Sequence, residues 1–354
     1  MKSRLLAATI LVAGSLVGGV AAQAQTKPDK IYLGVGNTDE YWQQVIWGAE
    51  QVAKSVGAEV VVLDSGFDGQ KHLQQLSSVL LAGCENCAFV WFPDSPAFTK
   101  VSVERVAEAG AFMTTLWNRP PELHPWDTAP EAWVANLSFN GVESGYLNGK
   151  ALCEAIGGEG NIVVVEGAPD NAPKKQRTMG FEQALAECPG MKVLDTQNAN
   201  WMATPAQEIT RAWIARYGEE IDGIFVQSDG MLMGVIAALR EAGLAGKIPV
   251  TGSDGQTDVL EMIKSGEVLS TIYDNAYVQG AAAAALAYGA AVGDLDPASL
   301  TEEQRDFFLK QFLVTKDNID EVLANKPQPE DFTYEAMKKD FWAASAGKIP
   351  DEWN

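Results

Sequence analysis

The sequence predicts an α/β protein made of two doubly wound, parallel-sheet lobes joined by a hinge of three segments. Three observations point there. Short β-branched runs alternate with amphipathic stretches of about ten to fifteen residues, the pattern of right-handed βαβ crossovers. About ten such strands would be many for one open sheet, so two sheets are the simpler arrangement. At 354 residues, 47% of them hydrophobic and 21% charged, the chain is globular and long enough for about two domains.

The elements follow in order. Lys2 and Arg4 precede an apolar or small-residue run over 5–22, and Ala22-Gln23-Ala24 fits the small-x-small rule for signal peptidase. Residues 1–24 therefore read as a leader cleaved after Ala24. A membrane anchor is the competing reading, but the Gly and Ala content and the cleavage motif oppose it. The first cysteine is Cys84, so no lipid-accepting cysteine follows the leader. The expected location is the periplasm.

A strand is predicted over 31–35. A helix over 43–56 carries Val45, Ile46, Val52, Ala53 and Val56 at helical spacing and stops at Gly57. Next come a strand over 59–63, a helix on Leu73, Leu76 and Leu80 ending at Gly83, a strand over 88–92, a helix over 99–109 and a strand over 111–115. Residues 118–133 hold Pro120, Pro121, Pro125 and Pro130 and read as a long loop. Strands are then predicted over 162–165, 224–226, 249–252 and 269–272, with helices between. The Ala-rich helix over 279–291 returns to the first lobe, and 312–314 is a last strand. The crossings fall near Leu137, Asp274 and Lys310. The first lobe is then 25–136 with 275–309, the second 137–274 with 310–326, and 327–354 an extension. There, Tyr334, Met337, Phe341 and Trp342 at helix-like spacing predict a packing helix.

Composition removes several function classes. There are 47 acidic and 26 basic residues, a net charge of -21, which opposes binding to nucleic acid or anionic membrane. The two histidines, His72 and His124, lack ligand-spaced companions, so neither a metal site nor a serine–histidine triad is expected. Residues 34–39 lack the third glycine of a dinucleotide fingerprint. No cofactor and no enzymatic activity are expected. In an exported protein the four cysteines read as disulfides. Cys84 and Cys87 form a C-x-x-C after a helix and before a strand, which suits a structural staple better than a redox site. Cys153 and Cys188 are left as the second pair.

Ligands of open parallel sheets bind beyond the carboxyl ends of the strands. Those tips carry Asp39, Tyr41 and Trp42, then Asp94, then Trp117 and Asn118, then Ser228 and Asp229, then Asp254, then Asp274. Each has a plain alternative: Asp254-Gly255 is an ordinary turn, and Asp229 could cap the following helix. Their recurrence at tip after tip favours a site. Carboxylates accept strong hydrogen bonds from vicinal hydroxyls, and aromatic faces cover the C–H face of a sugar. Arg177 adds fixed donors. The set suits a neutral, hydroxyl-rich small molecule. A phosphorylated ligand would want more cations and Gly-rich amides.

At these residues a resemblance appears. Asp39-Glu-Tyr41-Trp42 before Gly48-Ala49, Val62-Leu63-Asp64-Ser65, Arg177-Thr-Met-Gly180-Phe181, Phe225-Val-Gln-Ser-Asp229-Gly-Met231 and Gly252-Ser-Asp254-Gly255 are similar to motifs of the type I periplasmic sugar-binding proteins, the ribose and galactose class serving ABC importers. The resemblance runs to about Thr315. It implies the type I periplasmic binding protein fold, a monomer, a sugar or polyol ligand and an inner-membrane ABC permease as partner. A chemoreceptor or sensor kinase is the alternative partner. It also implies ligand roles for Arg177, Trp201 (where the family has a stacking aromatic), Ser228 in place of asparagine, and Asp274 in place of an amide. The departures are Trp117-Asn118 where Asp-Arg is common and Phe92 at the family's asparagine. They make the site more aromatic and more acidic, and favour another aldose, a sugar derivative or a linear polyol over ribose. A sugar-responsive repressor of the same architecture would need a DNA-binding helix-turn-helix and a basic face.

Overall fold

The computed structural model describes residues 27–350, so the expected leader lies outside the described residues. Among those residues no helix is long and apolar enough to cross a membrane.

The first sheet is built from β1 (Lys30–Val35), β2 (Glu59–Asp64), β3 (Ala88–Trp91), β4 (Phe112–Leu116) and β5 (Trp133–Phe139), joined by β10 (Asp306–Leu309) and β12 (Ser345–Lys348) in the order β12-β10-β5-β4-β3-β1-β2. All pairings are parallel except that of β12. Side chains alternate between its two faces. Ala88 and Val90 join the core beneath α1 (Glu40–Val56) and α9 (Ala276–Ala291), while Phe89 and Trp91 join the core beneath α2 (Gly69–Leu81) and α3 (Thr99–Glu108). Asp39 caps α1 through Trp42 N, and Gly57 ends it at φ 76°. The alanines of α9 let it sink between α1 and the sheet, buried nearly all round.

The second sheet is β7 (Gly190–Asn198), β6 (Glu159–Glu166) and β8 (Gly223–Val226), in that order. Bridges at Ile224–Val250 and Thr251–Ser270 extend it to an antiparallel pair, β9 (Thr271–Asp274) with β11 (Gln311–Val314). One face is covered by α4 (Gly141–Ala155) and α5 (Ala172–Glu187). The other is covered by α6 (Ala203–Tyr217), α7 (Asp229–Glu241) and α8 (Thr257–Ser265). Disulfides join Cys84 to Cys87, and Cys153 on α4 to Cys188 after α5.

Four details differ from the sequence reading. β5 stays paired with β10 through Phe139, so the first crossing falls at Asn140, beyond Leu137. The proline loop is anchored: Arg119 donates to Asp306 at 2.7 Å with both side chains fully buried, and Asn136 donates to the same carboxylate. β7 carries no apolar signature because it is an exposed edge strand. The extension is not one helix. A short α12 (Tyr334–Lys338) packs on α1 and α9, and the chain then forms β12 against β10, whose edge would otherwise be unpaired.

That extension makes a fourth passage between the lobes. The helix α11 (Ile319–Ala324) packs on α8 of the second lobe, and within a few residues Phe332 lies 5.6 Å from Trp47 of the first.

Candidate functional site

The tips of both sheets face each other across a cleft that holds a cavity. From the first lobe Asp39, Tyr41, Trp42, Phe92 and Trp117 reach it; from the second, Arg177, Trp201, Ser228 and Asp254. Tyr41 and Trp42 lie on the first turn of α1, just after the capping Asp39. Trp42 packs edge-on to Tyr41 at 5.2 Å and tilts against Phe92 at 4.8 Å. Trp117 Nε1 donates to the Tyr41 hydroxyl at 2.9 Å, and that hydroxyl donates to Gln279 Oε1. The aromatic wall is therefore held by hydrogen bonds as well as packing.

Arg177, on the buried face of α5, organises the opposite wall. Its Nη1 donates to the Gln227 carbonyl, and its Nη2 to Asp274 at 3.0 Å and Asp254 at 3.4 Å. The guanidinium carbon lies 5.5 Å from the Trp117 ring and 5.9 Å from the Trp201 ring. Burial pushes the Asp274 carboxyl up to about 7 despite this arginine. Burial likewise lifts Asp229 to about 7, against the hydrogen bonds it accepts. Asp254 is raised well above the usual carboxylate range, first by burial and then by the charges of Asp229, Asp274 and Asp39, with Arg177 opposing. The Tyr41 phenol is pushed up by burial and by Asp274 and Asp254.

Arg177 Nε, Gln279 Nε2 and Asp274 Oδ1 are buried and have no hydrogen-bond partner among the described residues. Of the three residues only Arg177 lines the cavity, so its Nε is a donor left for a ligand oxygen. No group of three or more His, Cys, Asp or Glu among the described residues is placed to hold a metal ion.

Four tip residues do not line the cavity. The Asp94 carboxylate is taken up by Ser65 Oγ and by His72 Nδ1 at 2.7 Å. Asn118 donates to the Pro93 carbonyl at 2.6 Å and accepts from Ala172 N, on the other lobe, at 3.0 Å. Asp229 braces neighbouring tips by accepting from Gln256 N at 2.9 Å and Thr271 Oγ1 at 2.8 Å; the cap of α7 is Ser228. Asp274 lies behind Arg177 and is fully buried.

The cavity also takes in Phe67, Asn171 and Pro173, which the tip argument missed. Phe67 had a legible signal in a repeat between the lobes. Phe67 comes three residues after β2 and Trp201 three after β7, both in the left-handed region at φ 61° and 64°. Each lies on a glycine just after the strand that neighbours the edge strand of its sheet, Gly36 after β1 and Gly167 after β6. A Cβ on Gly36 would come within 2.3 Å of the Phe67 ring, and one on Gly167 within 2.1 Å of the Trp201 ring.

Comparison with known proteins agrees with this geometry. The family described as "Periplasmic binding protein domain" matches residues 31–295. A xylitol-binding protein of Mycolicibacterium smegmatis is 28% identical over 303 residues, 86% of this chain and 81% of that one. A D-ribose/D-allose-binding protein of Pseudomonas aeruginosa is 26% identical over 76% of this chain and 84% of that one. Among solved structures, a twin-arginine translocation pathway signal protein from Burkholderia phytofirmans superposes with a TM-score of 0.86 at 33% identity, covering 92% of this chain and 99% of that one. An ABC transporter periplasmic solute-binding protein from Actinobacillus succinogenes with bound D-allose gives 0.72 at 25% identity, covering 83% and 100%. Two α/β lobes closing on an aromatic and carboxylate-lined cleft, with a family match over most of the chain, place this protein in the periplasmic binding protein domain family with the type I fold, a family of binding proteins and not of enzymes.

Proposed function

We propose that this protein captures a neutral, hydroxyl-rich small molecule, a sugar or linear polyol, in the interlobe cleft and delivers it to an inner-membrane ABC import permease. The observation that carries the reading is the cleft itself. Its aromatic faces come from both lobes, and the carboxylates of Asp39 and Asp254 and an arginine with an unpartnered buried Nε stand beside them. The named ligands of relatives, xylitol, D-ribose and D-allose among them, support the class.

In this reading Trp42, Phe92, Trp117 and Trp201 stack on the ligand, while Asp39, Asp254 and Arg177 bond its hydroxyls. The leader is removed after Ala24, and the mature chain works as a monomer in the periplasm. The first lobe runs to Phe139 and resumes over 275–309, and the second holds 140–274 and 310–325. The test is a thermal-shift panel of D-ribose, D-allose, xylitol and myo-inositol on the mature protein. Mass action gives about 2.7 kcal/mol of stabilisation at a hundredfold excess over Kd, so a binding solute raises Tm by several degrees. No shift with any sugar or polyol would remove the reading.

A further inference from the structure

An asparagine at a helix N-cap normally turns its side-chain oxygen onto the free amides of its own helix. Asn171, the N-cap of α5, makes no such bond. Its Oδ1 accepts from Trp201 Nε1 at 2.7 Å, and its Nδ2 donates to the Asp94 carbonyl at 2.7 Å. The side chain is buried, and it touches both lobes at once: Trp201 on its own, Asp94 on the other. The next residue repeats the crossing, since Ala172 N donates to Asn118 Oδ1.

Both ends of this bridge are built to be held. On the first lobe, Ser65 and His72 fix the Asp94 carboxylate, and Asn118 holds the Pro93 carbonyl beside it. On the second lobe, Asn200 and Trp201 both adopt left-handed backbone, and the indole rests on Gly167 with its N–H aimed at Asn171. A backbone conformation that L side chains rarely adopt persists when its surroundings determine it.

We propose that Asn171 is a closure latch. Its amide engages the Asp94 carbonyl only when the lobes meet, and that engagement sets its oxygen to orient Trp201 over the ligand. Asn171 is then a positioning residue, acting through Trp201 and through the lobe contact. Strand tips Asp94 and Asn118 serve as the strike plate, which is why neither faces the cavity. The idea rests on the proposed function. It adds that ligand retention, more than ligand encounter, depends on this one amide, because the bonds form after the ligand has entered an open cleft.

The test uses the mature protein and whichever of D-ribose, D-allose, xylitol and myo-inositol stabilises it most, followed by stopped-flow tryptophan fluorescence. Asn171→Ala should raise koff about tenfold with kon unchanged, the scale of two lost hydrogen bonds. Asn171→Asp keeps an acceptor for Trp201 but has no donor for the Asp94 carbonyl. It should also speed release while preserving the fluorescence change on binding, which Asn171→Ala should diminish. Wild-type koff in Asn171→Ala overturns the latch, as does a lowered solute-free Tm with koff unchanged, which marks a structural residue. If none of the four solutes stabilises the wild-type protein, the functional reading falls and the latch with it; binding with unaltered release removes the latch alone.

Discussion

Asp274 is fully buried against one arginine that it shares with Asp254, and burial outweighs that arginine. The consequence is a pH dependence with a definite sign. The Asp274 carboxyl titrates near 3.8 when exposed and at about 7 in the folded chain, and Asp229 does the same. Between those values the native state holds protons that the unfolded chain has released. The stability these groups contribute is therefore fully present below about 3.8 and is lost as the pH rises toward 7. The solute-free Tm should fall from pH 5 to pH 7.5, and Asp274→Asn should flatten that slope. An equal slope in Asp274→Asn would place the titration elsewhere. At this scale the sequence was partly legible. Six of the ten strand-tip residues do reach the cavity, because lying just past a strand is a local property. Whether a tip carboxylate faces the cavity or braces a neighbour depends on partners such as His72 and Thr271, more than twenty residues away in the chain.

The elements that shape the site are two copies of one device: a glycine after the strand next to the sheet edge, the edge strand itself, and an aromatic three residues later in left-handed backbone. Gly167 is needed for the space above it. A methyl there would lie 2.1 Å from the Trp201 ring and would displace it from the cleft. Gly167→Ala should therefore weaken ligand binding about as much as Trp201→Ala, by about 1–3 kcal/mol on titration calorimetry. The double variant should add little to either, since both changes remove one aromatic surface. Full additivity would show that the glycine acts by another route. The repeat can be read from the sequence once both edge strands are known. β7 hides the second copy, because its exposed residues lack the alternation that marks a half-buried strand.

The whole molecule carries a constraint beyond a three-segment hinge. Besides the crossings at Asn140, Asp274–Ala276 and Lys310, the segment after α11 ties the second lobe to the face of α1 and α9. Tyr334 anchors it there by burial and by a 2.9 Å hydrogen bond to Asp294. Only about four residues separate α11 from the anchored turn at Pro329–Phe332, and so short a segment spans at most about 14 Å. Opening of the lobes should be limited by this reach. Insertion of a flexible Gly/Ser segment of about ten residues after Lys326 should raise the solute-free radius of gyration in small-angle scattering. With bound solute the wild-type and lengthened proteins should share one smaller radius. An unchanged solute-free profile would mean the tether is slack.

Taken alone, the sequence determined the α/β class, the two lobes and the chemistry of the strand tips. Periodicity, turn residues and charge are local quantities, and each was already present in a short window of chain. Only the tertiary structure decided where β10 and β12 sit, that the extension closes a sheet edge, and that Asn171 reaches Asp94 across the cleft. Those contacts join residues 36 to 170 positions apart; they exist because burial forces each unpaired donor, acceptor and strand edge to find a partner, wherever in the chain that partner lies.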